Sequence, residues 1–212
     1  MSGIVAQNIA RASGLVKAVA AGGGNWVEIK SITASADATI DFIDGSSDVV
    51  FDGTYPVYCF QFIQMHPATN EADFGWQATD DDSSHSFGIA VTNTVFRAYH
   101  NENDTATSVN YESSHDIAQS TGLSIVTKET GTNNADDSTS GYFYIFAPSN
   151  TTHVKHFFSE SSTQVNESDP YSMHYFVGGI INTAADITGL QWKFSSGNMD
   201  SGQIKLFGIK DS

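Results

Sequence analysis

In the stretch "LQWKF", Leu190, Trp192 and Phe194 alternate with Gln191 and Lys193. A period of two places the apolar side chains on one face of a strand and the polar ones on the other. The same rhythm, broken by turn residues, runs through most of the chain after Trp26. "NWVEIKSITAS", "ATIDFID", "DFGWQA", "GIAVTNTVFRAYH", "SGYFYIFAPS", "THVKHFFSES", "YSMHYFVGGIIN", "ITGLQWKFSS" and "GQIKLFGIK" all read as strands, with turn signals such as Asp52-Gly53 between them. "VVFDGTYPVYCFQFIQMHP" differs. Tyr58, Phe60 and Phe62 share one face, and Val57, Cys59, Ile63 and Met65 share the other. A strand that is apolar on both faces is covered on both sides and belongs in the interior of a sheet.

The pattern gives about ten strands and no alternation of strand with helix. It predicts an all-β fold: an antiparallel two-sheet β-sandwich, a jelly roll, with a closed barrel as the second architecture. One short helical turn is expected in "SSHDIAQSTG". The last two strands are expected to pair across the turn "SGNMDSG", with Ile204 and Leu206 sharing a core with Trp192 and Phe194.

Residues 1–24 follow a different rule. Val5, Ile9, Ala12, Val16 and Val19 recur at heptad spacing, and Ile4 adds to the same apolar set. This predicts a short helical or extended anchor that packs on its own body, on sister copies or on a partner, because a lone helix of this length is marginal in water. Gly22–Gly24 form a joint to the β-sandwich domain, residues 25–212. Gln7, Asn8, Arg11 and Lys17 interrupt any secretory apolar stretch, so secretion is not expected. No segment reaches the ~20 apolar residues of a membrane helix.

Charge narrows the partners. Across 212 residues the formal net charge is −15, with nine basic residues against twenty-four acidic. Such a surface repels phosphate backbones and anionic lipid, so neither nucleic acid nor membrane is expected as a partner. The single cysteine, Cys59, rules out an internal disulfide and reads as a small buried hydrophobe.

Catalytic patterns are sparse. There is no G-x-S-x-G elbow, and no glycine-rich loop opens a helix. His153 and His156 stand three apart, which in a strand sends them to opposite faces, so no metal is expected from them. Asp80, Asp81 and Asp82 form a loop run, which leaves calcium as the one cofactor alternative to none. Scattered carboxylates leave a hydrolase as a remote third reading, and no catalytic residue is assigned.

"GNWVEIKSITASADATIDF", "YPVYCFQF", "FRAYH", "FAPSNTTHVKHFFS" and "FSSGNMDSGQIKLFGI" together resemble small β-sandwich virion proteins of tailed, often marine, bacteriophages, and "SGIVAQNIARASGLVKA" is similar to their leaders. The resemblance implies a structural role with no catalysis. The expected role is a capsid decoration or capsid-fibre protein, or a tail-fibre module, located in the virion and contacting other virion proteins. Phage fibres and decorations are often threefold, so a homotrimer is the expected form. The alternative function is recognition of host surface glycans by exposed aromatics, for which Trp26, Trp76 and Tyr99 are the candidates.

Overall fold

The computed structural model describes residues 24–130, 137–165 and 170–211. The anchor residues Ile4, Val5, Ile9, Ala12, Val16 and Val19 lie outside the described residues. Among those described there is no helix, and the "SSHDIAQSTG" segment is turn and bend.

The strands are β1 (Trp26–Thr33), β2 (Ile40–Ile43), β3 (Val57–Pro67), β4 (Ala72–Thr79), β5 (Val91–Asn101), β6 (Thr107–Tyr111), β7 (Ser124–Thr130), β8 (Thr139–Phe146), β9 (Lys155–Val165), β10 (Tyr171–Ile181), β11 (Gly189–Phe194) and β12 (Met199–Ile209). They form two antiparallel sheets. The larger runs β1-β12-β3-β8-β9-β10-β5-β6 and the smaller β2-β11-β4-β7. Taken without β5, β6, β9 and β10, the remaining eight strands pair as 1-12-3-8 facing 2-11-4-7, the strand order of a jelly roll. The other four widen the larger sheet on one side, by two antiparallel pairs that join at β10 and β5.

Aromatic packing joins the layers. Phe60 and Phe62 of β3 project inward to meet Phe42 of β2, Phe74 of β4 and Trp192 of β11, with ring centroids 4.6–5.2 Å apart. Trp76 of β4 packs edge-on against Phe143 of β8 and Phe157 of β9, at 4.9 Å from each. Burying each such side chain contributes about 1.5–3 kcal/mol, so these rings are the main cement of the sandwich.

The alternation reads as strand at ten of these twelve described elements and passes over β6 and β7. Two further expectations change. The last two strands do not pair with each other. β11 sits between β2 and β4, and β12 sits between β1 and β3. The turn between them crosses from one sheet to the other, so Trp192 and Phe194 face Ile204 and Leu206 across the shared core. An alternating pattern dictates which face is buried but not which neighbour supplies the hydrogen bonds. The second change concerns Met65, which is fully buried in the core instead of sharing the face of Cys59. The ladder to β8 shifts between Phe62 and Met65, and Gln64 there has φ 49°. A bulge inserts one residue and reverses sidedness beyond it.

Candidate functional site

The sandwich carries two surfaces that can engage a ligand or partner. The first is the outer face of the larger sheet. In register across it stand Phe207 of β12, Cys59 of β3, Tyr144 of β8 and Phe158 of β9. One step away, Phe176 of β10, Phe96 of β5 and Tyr111 of β6 continue the row. The rings touch: Tyr144 stacks on Phe158 at 4.8 Å, and Phe96 on Phe176 at 4.7 Å. Trp26 closes the β1 end, 5.6 Å from Phe207 and 6.2 Å from Tyr144.

Trp26, Phe96, Tyr111, Tyr142 and Phe158 are each between 39% and 54% exposed. Together they present on the order of 400 Å² of ring surface, the size of the largest apolar patch on a typical monomer, which is often the functional one. Between Phe158 and the Phe96–Phe176 stack the face dips into a hollow of about 240 Å³, bordered by Thr94, Glu160 and Gly178. A side chain at Gly178 would stand in this dip, where the nearest atoms to its Cβ would be 3.9 Å away.

The second surface is a cleft on the inner side of the same sheet, where the smaller sheet runs out. β7 is one of the two edge strands of the smaller sheet and covers β9, with Ser161 Oγ donating to the Val126 carbonyl at 3.0 Å. Beyond β7 the inward positions of β5 turn from Val91 and Val95 to Arg97 and Tyr99. Arg97 and Tyr99, Lys128 and Glu129 of β7, and Tyr171 and Met173 of β10 line a cleft of about 250 Å³.

A polar network backs it. The Arg97 guanidinium lies 2.9 Å from Glu112 through Nε, an ion pair without the alignment of a directed hydrogen bond. Its Nη1 donates to the Tyr175 hydroxyl at 3.3 Å. His115 stands 3.8 Å from both Glu112 and Asp73, and Asp73 Oδ1 accepts the Glu129 amide at 2.9 Å.

The network holds charge in a half-buried place. Burial pushes the Tyr175 hydroxyl up to about 12, although Arg97 opposes the shift. Burial alone would raise Glu112, but the Ser114 hydroxyl and the charges of Arg97, His115 and Lys128 outweigh it and hold the carboxyl below its ordinary value. For Arg97 burial also opposes charge, and the Tyr175 hydroxyl with Glu112 more than restores it. Arg97 and Glu112 therefore both stay ionised at neutral pH.

The three aromatic candidates separate. Trp26 is exposed on the outer face. Trp76 is fully buried between the sheets, so it cannot face a glycan. A tryptophan in an alternating strand has no signal for which layer its indole enters. Tyr99 is half-buried in the cleft, with its ring 5.5 Å from Tyr171 and the Arg97 guanidinium 5.6 Å above it. Arg97, Glu112, Lys128, Glu129 and Tyr171 carried no sequence signal, because their convergence depends on where β7 ends over the larger sheet.

In the Asp80–Asp82 run, Asp81 turns its carboxylate onto its own loop. Its Oδ1 accepts the Ser83 and Ser84 amides at 2.8 and 3.2 Å, and hydrogen bonds from Ser84 and Ser83 hold it well below the usual carboxylate range. Among the described residues no group of three or more His, Cys, Asp or Glu side chains converges as a metal site. No described helix is long and apolar enough to cross a membrane. Comparison of the chain with protein-family models, curated proteins and solved structures finds no match.

Proposed function

We propose that this chain is a structural subunit of a bacteriophage virion, acting by surface contact and not by chemistry. The jelly-roll body meets copies of itself and other virion proteins through its aromatic outer face. Residues 1–24 anchor it, and the working form is a homotrimer on the capsid surface or tail.

The observation that carries this reading is the row of half-exposed rings across the eight-stranded sheet. Covering one such ring recovers about 2 kcal/mol, so a few rings per partner supply the apolar centre of a stable interface. The chain as a whole is acidic, with a net charge of −15. That charge keeps copies apart except where apolar contact outweighs repulsion, and the repulsion weakens in salt. The resemblance of the leader and strand segments to phage virion proteins points the same way.

Light scattering coupled to size-exclusion chromatography tests this on the full chain, on a chain starting at Asn25, and on the double variant Phe96→Glu, Phe158→Glu. The full chain is expected as a trimer and the double variant as a folded monomer. A full chain that runs as a monomer at all salt concentrations overturns the reading.

A further inference from the structure

We propose that the cleft between the end of β7 and the strands β5 and β10 binds one ring of a neutral saccharide, held by Glu129, Lys128 and Arg97 against the side chains of Tyr171, Tyr99 and Met173. This site is on the opposite face of the larger sheet from the aromatic row, and it stands or falls separately from assembly through that row.

Charge points to a neutral ligand. The body after Gly24 has only seven basic residues, and two of them, Arg97 and Lys128, line this one cleft. Each cation already faces an anion: Arg97 pairs with Glu112, and Lys128 with Glu129. The cleft is therefore locally balanced. An added phosphate or carboxylate would have to displace an internal partner, and a cationic ligand would meet the guanidinium and the ammonium.

Composition points to a polyol. Glu129 offers acceptor oxygens beside the donors of Lys128, and the two side chains are comparably half-buried. An adjacent donor and acceptor match a pair of neighbouring hydroxyls, each of which donates and accepts at once. Tyr99, Tyr171 and Met173 add apolar surface for the C–H side of a sugar ring. The volume of about 250 Å³ suits a single ring-sized group at an open edge, in keeping with ligand sites that combine apolar walls with a few convergent polar groups.

Backbone geometry sets Glu129 in place. It has φ 51°, in the left-handed region, on a strand whose ladder to β4 is irregular. A residue other than glycine there costs about 1 kcal/mol or more and persists only when its surroundings enforce it. The enforcing contact is Asp73 Oδ1, which accepts the Glu129 amide at 2.9 Å. Asp73 is in turn 3.8 Å from His115, on the loop that supplies Glu112. The segments around the cleft are thus tied into one preformed arrangement, which lowers the ordering cost of binding.

Saturation-transfer NMR on the full chain tests the site, using the methyl glycosides of glucose, galactose, mannose and N-acetylglucosamine, with glucuronic acid and inorganic phosphate as charged comparators. Transfer is expected to at least one neutral glycoside. Binding should weaken about tenfold or more in Glu129→Gln, the effect of one lost charge-assisted hydrogen bond, and similarly in Tyr171→Ala. Phe158→Ala, on the outer face, should leave it unchanged. Glu129→Gln keeps size and shape, so it decides the matter if Tyr171→Ala fails to fold. Transfer to no neutral glycoside, transfer only to the charged comparators, or undiminished binding in Glu129→Gln would each overturn the proposal.

Discussion

The ring of Phe62 on β3 and the indole of Trp192 on β11 lie 4.6 Å apart at 61°, one of the ring contacts that join the two sheets. Trp192 also meets Phe60, Phe74 and Phe143. It is thus shared between both layers. Trp192→Ala should cost about 3–5 kcal/mol, because a large ring leaves a cavity that neighbouring rings cannot refill. Urea unfolding checks this. A loss below about 1 kcal/mol would mean the core collapses freely around the gap.

β12 lies between β1 and β3, so cutting the chain after Met199 removes an internal strand and leaves two open edges. It also removes Ile204 and Leu206, both fully buried. The shortened chain should be insoluble or lack a cooperative thermal transition. A soluble product with an unchanged melting midpoint would show that the strand contributes nothing.

Cys59 is fully buried beneath the aromatic outer face, and burial pushes its thiol up to about 12, although a hydrogen bond with Tyr144 opposes the shift. Thiolate is therefore scarce, and access is blocked. A disulfide reagent at about pH 8 should leave the folded protein unmodified and label one thiol per chain after denaturation. Rapid labelling of the folded protein would mean that this part of the sheet opens readily.

Glu112 ties the network behind the cleft to Arg97, and its pKa is lowered from 4.5 in the fold. A carboxyl held below its unfolded value adds stability that is fully present above that value and is lost as pH falls through the folded one. Glu112→Gln should therefore lower stability by about 1–3 kcal/mol at neutral pH. The gap to the parent protein should narrow below pH 4.5. Melting curves from neutral pH to about pH 3 measure it. A gap that stays constant with pH would assign the loss to packing and not to charge.

Local alternation marked ten of the twelve described strands and most of their buried faces, but it passed over β6 and β7, whose short, mixed segments carry no clean period of two. β3 reads as apolar on both faces, and it does lie inside its sheet between β12 and β8, but only its inner face is covered by the second sheet, and Val57 and Ile63 on the other face are half-buried. Leu190, Trp192 and Phe194 read as one buried face, and all three are in the core. The hydrophobic pattern carries this much because side-chain sidedness in a strand is a local property with a period of two. What it does not carry is pairing. The order 1-12-3-8 over 2-11-4-7 depends on backbone partners far apart in the chain, and backbone groups are alike at every residue. The crossing of "SGNMDSG" between sheets, the reversal of Met65 and the core position of Trp76 all follow from that long-range order. So does the cleft, where Arg97, Lys128 and Tyr171 meet only because β7 is an edge strand of the smaller sheet and β5 and β10 extend the larger one beyond it.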